Sequence, residues 1–323
     1  MKEFIMQIDV FNGDADGICA LIQLRLAKPT DAKLVTGVKR DIQLLEHLSV
    51  EANDFVTVLD ISLKKNRTAL DSILKQGASV FYVDHHEADD IPRHPNFECI
   101  INTAVDTCTS LLVDQYLAGK YRAWAVTAAF GDNLNSSAVE LAQTLSLRTS
   151  QLRQLQDLGV CINYNGYGDK TADLHFDPAL LFRHLAYYQS PFDFIIDNAD
   201  IYGQLLSGYA DDMKQAQLIK PEYETHTTGI YILPDKAWAR RISGVLGNNL
   251  ANQCPERAHA ILRYNTQGGY QVSVRAPLIT KTGADELCSS FTTGGGRKSA
   301  AGINHLPVDA LSVFIHAFSE KYS

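Results

Sequence analysis

The residues in this chain best suited to chemistry are five aspartates and two adjacent histidines. Asp14 and Asp16 stand two apart in Asn12-Gly13-Asp14-Ala15-Asp16-Gly17. Asp60 ends the apolar run Val56-Thr57-Val58-Leu59. Asp84 ends Val80-Phe81-Tyr82-Val83 and is followed at once by His85 and His86, and Asp132 follows the apolar segment 126–130. Two acids spaced by one residue in an extended loop point to the same side. Carboxylates brought together repel one another unless a cation offsets them. Hard divalent cations suit carboxylate oxygens, and an added imidazole shifts the preference towards manganese over calcium. Each feature alone has a plainer explanation: a turn for Asp-Ala-Asp-Gly, a helix cap for an aspartate after a strand, a surface position for a histidine pair. Following successive strands of one domain, they jointly point to a metal centre.

Strands and helices must deliver these residues to one place. Residues 6–12, 33–38, 54–61, 79–83 and 99–101 read as strands, and 18–27 and 64–75 as helices, the second with Gly77 just beyond its end. That alternation predicts an α/β fold, a parallel sheet with helices on both faces. Ligands of such sheets bind beyond the carboxyl ends of the strands, where the acids fall. Segments 136–157, 178–188 and 195–218 are helical in pattern, whereas 163–168, Asn-Tyr-Asn-Gly-Tyr-Gly, reads as a loop. The polar stretch 221–228 marks a boundary. Beyond it follow a strand at 229–233, a helix at 238–253 and a hairpin of 260–264 with 270–276, turning at Gln267-Gly268-Gly269. A glycine-rich loop at Gly294, Gly295 and Gly296 and a helix at 308–320 complete a smaller α/β C-terminal domain. The expected division is 1–200 for the catalytic domain, 201–225 for a helical linker and 226–323 for a substrate-binding domain.

A length of 323 residues suits about two domains. No apolar run approaches the roughly 18 residues of a membrane span, and Met1-Lys2-Glu3-Phe4 lacks a signal-peptide pattern. The expectation is a cytoplasmic protein with no membrane partner. The six cysteines form no CxxC pair, which argues against a zinc knuckle or dithiol site. A formal net charge of −8 argues against a grip on duplex DNA, although a few arginines and bound ions can supply positive charge locally. Gly294-Gly295-Gly296-Arg297-Lys298-Ser299 lacks the spacing of a Walker loop.

The ordered set Asp14-Ala15-Asp16-Gly17, Asp60, Asp84-His85-His86 and Asp132 resembles the four motifs of the DHH phosphoesterase family. The run from Gly294 to Gly302 resembles the glycine-rich signature of the DHH-associated domain of subfamily one, which accompanies RecJ-type exonucleases and nanoRNases. The resemblance covers nearly the whole chain. It implies two Mn2+ ions, or Mg2+ in their place: one held by Asp14 and Asp60, the other by Asp16, Asp60, His85 and Asp132. It further implies that Asp84 orients His85, that His86 faces the scissile phosphate, and that Arg275, Arg297 and the glycines 294–296 bind substrate.

Two departures stand out: Asn12 occupies a place where RecJ-like members carry an aspartate, and Arg297 follows the glycines where histidine is usual. The activity implied is hydrolysis of short single-stranded RNA or DNA, or of linear dinucleotides, with a homodimer left open. The alternatives are a RecJ-like single-strand exonuclease and a non-catalytic nucleotide-binding regulator. Thr109 and Ser110, near a helix start, read either as caps or as neighbours of the metal or phosphate.

Overall fold

Short aliphatic runs bounded by turns become the strands of a parallel sheet. In the computed structural model, which describes residues 5–323, these are β1 (Gln7–Phe11), β2 (Lys33–Val35), β3 (Phe55–Leu59), β4 (Ser79–Asp84) and β5 (Phe97–Ile101). All neighbours are parallel, in the order β2-β1-β3-β4-β5. The strands read as near-continuous apolar runs because both faces are covered. On one face, Phe11, Leu59, Phe81 and Val83 pack against α1 (Ala15–Ala27), which is buried on every side from Ala15 to Leu24. On the other, Ile8, Val10, Val56, Val58, Val80 and Tyr82 meet α2 (Leu63–Lys75) through Leu63, Leu70, Ile73 and Leu74.

The α1 face is thickened by further helices: α3 (Thr109–Tyr116), α4 (Arg122–Gly131), α5 (Asn135–Ala142), α6 (Thr149–Asn165), α7 (Pro178–Leu185), α8 (Pro191–Asp197) and α9 (Ala199–Gln217). Segment 126–130 lies within α4, so Asp132 arrives from the end of a helix. Residues 163–165, expected in a loop, instead complete α6. Tertiary bonds override their turn-prone composition: buried Asn165 accepts from the Phe176 N–H and donates to the Phe176 carbonyl, both at 2.9 Å.

A first compact unit runs to Tyr209 and a second from Ala210 to Ser323, so the division falls inside α9. The second unit contains β6 (Tyr223–Glu224), β7 (Thr228–Leu233), α10 (Ala237–Gln253), β8 (Ala258–Tyr264), β9 (Gly269–Arg275), α11 (Ala284–Ser289), β10 (Gly294–Arg297), β11 (Ala300–Pro307) and α12 (Leu311–Lys321). Its sheet has the order β10-β11-β9-β8-β7-β6, with only β7 and β8 parallel. Its own core gathers Ile230, Leu262, Val272, Val274, Phe314 and Phe318.

The glycine run 294–296, expected as a loop, is the edge strand β10 paired with β11. Gly296 has φ 146°, and a Cβ there would lie 2.5 Å from Ala301 Cα, so only glycine allows this pairing. Among the described residues, no helix is long and apolar enough to cross a membrane.

Candidate metal centre

The strand order places a topological switch between β1 and β3, where connections leave in opposite directions and a crevice opens at the carboxyl ends. Asp14, just past β1, is the N-cap of α1: its Oδ1 accepts the N–H groups of Asp16 and Gly17 at 3.0 and 3.1 Å. The Asp16 carboxylate accepts the backbone N–H groups of Thr109 and Ser110, each at 2.7 Å. These are orphan donors at the positive end of α3. The N-cap position of α3 is Cys108, so Thr109 and Ser110 are not its caps; their N–H groups instead fix the orientation of an acid 93 and 94 positions away.

Asp60, one residue past β3, holds φ 58°, a left-handed conformation unusual for a residue with a side chain and of the kind concentrated at functional sites. Asp84 closes β4. Its Oδ1 lies 2.7 Å from His86 Nδ1, and its Oδ2 accepts the Leu63 N–H at 3.4 Å. The expectation that Asp84 orients His85 is thus corrected: it holds His86. The two rings lie side by side, with centroids 4.6 Å apart, but it is His86 whose Nδ1 reaches Asp84.

His85 Nε2 lies 3.4 Å from Asp60 Oδ1, 3.9 Å from Asp16 Oδ2 and 4.0 Å from Asp132 Oδ2. Octahedral donors at about 2.0–2.1 Å from a small divalent ion stand about 3 Å apart when adjacent and about 4 Å when opposite. The Asp16, His85 and Asp132 atoms converge closely enough to hold one ion, as do those of Asp60, His85 and His86. Asn12 Oδ1 is also buried and accepts no hydrogen bond from the protein, an acceptor that a cation or its water would satisfy. The donor chemistry therefore fits a hard divalent ion.

Asp14 lies outside both of these donor groups, and a residue not expected in the site holds it. Lys39 Nζ donates to Asp14 Oδ2 at 2.6 Å, to Asn163 Oδ1 at 2.9 Å and to Asp132 Oδ1 at 3.5 Å. The segment carrying Lys39 reaches the centre because Gly13 has no side chain: a Cβ there would lie 1.9 Å from the Gly37 carbonyl oxygen. The sequence alone did not single out Lys39. Its one signal was its place just beyond the strand neighbouring the Asp14 loop.

Burial pushes Asp60 well above the usual carboxylate range, and the charges of Asp14, Asp16, Asp84 and Asp132 push it further. Asp132 is raised to about 6 by burial and by Asp16. Burial is the largest influence on Asp14 and acts upward, but Lys39 and the hydrogen bonds from Gly17 and Asp60 together bring the net direction down. Lys39, although burial disfavours its charge, is held above the usual lysine value by Asp14 and neighbouring groups. His86 is raised, chiefly by its hydrogen bond to Asp84. The protein alone thus leaves a deficit of positive charge centred on Asp60.

In the second unit, Arg275 and Arg297 both pair across the ladder with Ala300, so they share one face of the sheet, two strands apart. Arg275 Nε donates to Asn248 Oδ1 and Nη1 to Ser273 Oγ, each at 2.8 Å, while Arg297 is exposed. Gly295 stands beside Gly302 and Ser273 in the adjoining row, which leaves that part of the face low. Tyr164 is buried, Lys39 Nζ lies 5.9 Å from the Tyr167 ring centroid, and Tyr187 is exposed.

No protein-family model and no curated protein sequence matches the chain. Solved structures do. RecJ from Thermus thermophilus in complex with Mn2+ aligns with TM-score 0.65 at 16% identity, over 97% of this chain and 51% of that one. The present chain thus spans about half the length of that protein. A second structure, the exonuclease RecJ bound to manganese, aligns with TM-score 0.61 at 16% identity over 98% of this chain and 89% of the other. CDC45 from Entamoeba histolytica aligns with TM-score 0.51 at 8% identity over 98% and 95%. At such identities the likeness is one of fold, and fold alone does not assign chemistry. The five-stranded parallel sheet with helices on both faces, followed by a second mixed-sheet unit, gives this chain the RecJ-like DHH fold.

Proposed function

We propose that the chain is a divalent-cation-dependent phosphodiesterase that hydrolyses short single-stranded oligonucleotides or linear dinucleotides, with manganese as the preferred ion. The observation that carries this reading is the convergence of His85 Nε2 on Asp60, Asp16 and Asp132, at 3.4–4.0 Å, beyond the carboxyl ends of parallel strands. The manganese-bound RecJ structures of the same fold support the choice of ion and of nucleic acid as the substrate class.

When bound, the cation supplies a polarised water for attack on phosphorus and positive charge against the phosphoryl oxygens. The chain's own residues do the rest. Thr109 and Ser110 N–H groups hold the Asp16 carboxylate still, so its remaining lone pairs are fixed in direction. Asp60, held past β3 in a left-handed conformation, offers an oxygen close to both His85 and His86 and completes the donor group with them. Asp84 accepts from His86 Nδ1, which sets the ring's orientation and leaves Nε2 as the atom that donates a proton towards the phosphate or the leaving oxygen. In the second unit, the Arg275 guanidinium, fixed by Asn248 and Ser273, and the exposed Arg297 are assigned to the substrate's phosphates. Gly294, Gly295 and Gly296 keep the strand beside them low.

The test is hydrolysis of a length series of RNAs and DNAs, from dimers upward, in Mn2+. Cleavage of the shortest members that disappears in Asp60→Ala supports the proposal. Cleavage confined to long strands favours a RecJ-like exonuclease, a reading motivated by the same structural likeness. No cleavage of any member, with nucleotide binding retained, leaves the regulator reading.

A further inference from the structure

We propose that Lys39 is a built-in cation standing in place of one of two metal ions, so that the centre takes a single divalent ion per chain. This rests on the metal-centre reading above and sharpens it. An ammonium group has three N–H donors. All three are matched by acceptors here: Asp14 Oδ2 at 2.6 Å, Asn163 Oδ1 at 2.9 Å and Asp132 Oδ1 at 3.5 Å. The backbone is as well fixed as the side-chain tip. The Lys39 N–H donates to the Gly166 carbonyl at 2.8 Å, and the Lys39 carbonyl accepts from Asn12 Nδ2 at 3.3 Å. The ammonium also sits 5.9 Å from the Tyr167 ring centroid, a further attraction for a cation. A lysine that had merely swung into an acidic crevice would not be held at both backbone and tip by three separate segments.

The acceptors tell the same story from the other side. Asp14 spends Oδ1 on the α1 N-terminus and Oδ2 on Lys39. Of the four aspartates implied as metal ligands, it is the one absent from both groups of converging donors. Those two groups share His85, so they describe neighbouring positions around one imidazole. Asn12, beside Lys39, is a neutral amide and adds no charge that would draw in a second ion. A divalent ion bound through Asp14 Oδ2 would face the ammonium across a few ångströms and would displace its 2.6 Å hydrogen bond. The same contacts give Lys39 a positioning role: by holding Asp132 and Asp14 together it sets the spacing of the donors around His85.

The experiment is manganese uptake by the full chain, stripped with chelator, measured by equilibrium dialysis with metal analysis and by electron paramagnetic resonance. The wild type is expected to bind one ion, with the six-line spectrum of isolated Mn2+. Lys39→Gln removes the charge and is expected to bind two, with the broadened multiline spectrum of a coupled pair. Lys39→Arg keeps the charge and is expected to stay at one. Two coupled ions in the wild type overturn the inference while leaving the metal centre standing. Uptake that stays at one in a folded Lys39→Gln overturns the role of Lys39. No uptake by the wild type removes the metal-centre reading itself, and this inference with it. Should Lys39→Gln fail to fold, the wild-type count and spectrum decide the matter.

Discussion

Asp60 combines three unfavourable circumstances: burial, four neighbouring carboxylates that raise it, and a left-handed backbone. Residues kept under such strain belong to sites rather than to scaffolds. Asp60→Asn relieves the charge and suits the left-handed conformation better. We expect it to melt a few degrees higher than wild type in chelator, since roughly 1 kcal/mol corresponds to about 2–4 °C for a chain of this size class. In saturating Mn2+ the order should reverse, because only the wild type gains ligand stabilisation. Paired thermal melts check both halves. His86 should separate chemistry from ion binding. His86→Ala is expected to lower kcat by roughly 10²–10⁴-fold, the usual worth of a general acid, with Mn2+ uptake unchanged. A parallel loss of Mn2+ affinity would instead make His86 a ligand. Asp84→Asn should reproduce much of the kcat loss, because His86 is what Asp84 holds.

At the scale of elements, the site is a product of ends. The carboxyl ends of β1, β3 and β4 and the N-termini of α1 and α3 meet where backbone donors are unsatisfied and acids are welcome. Deeper in the same layer, α1 is tied to the sheet by a second polar feature. Asp9 in mid-strand β1 is 1% exposed and receives Arg25 from α1: Nε to Oδ2 at 2.7 Å, Nη2 to Oδ1, with Nη2 also donating to Thr57 Oγ1 at 3.1 Å. Removing one partner strands a buried charge. Arg25→Met should therefore cost about 3–5 kcal/mol in urea unfolding, and the double change Asp9→Leu with Arg25→Met should recover most of it. A double-mutant cycle measures the difference. If Arg25→Met alone costs nothing, the pair contributes no specific hold on α1.

For the whole molecule, two units with separate cores make pH a way to address them differently. His259 lies fully buried in the sheet of the second unit, and burial together with the Arg257 charge pushes it down to about 4 from 6.5. The unfolded chain therefore binds a proton on this residue between those values while the folded chain does not. The stability associated with neutral His259 is fully present above about pH 6.5 and is lost as pH falls towards 4, with a total of roughly 3 kcal/mol. His259→Gln should flatten that part of the profile. The difference between variant and wild type, read from Trp238 fluorescence in a Trp124→Phe background, isolates it in the second unit. A parallel pair of curves would show that the imidazole is not buried neutral.

The sequence by itself determined the α/β alternation, the parallel sheet and the acids at strand ends, because hydrophobic period and turn chemistry are local properties. Its order of motifs also pointed to the DHH fold that the structural likeness bears out. Several things were decided only in three dimensions. Asp84 pairs with His86 rather than His85, although the two rings lie only 4.6 Å apart. The grip of α3 on Asp16 joins residues 93 and 94 positions apart. The glycine run became a strand because β11 lay beside it. Above all, Lys39 entered the carboxylate cluster because a glycine let one loop press against another. A lysine's partners are set by which backbone segments can approach, and nothing in its own neighbourhood of sequence records that distance.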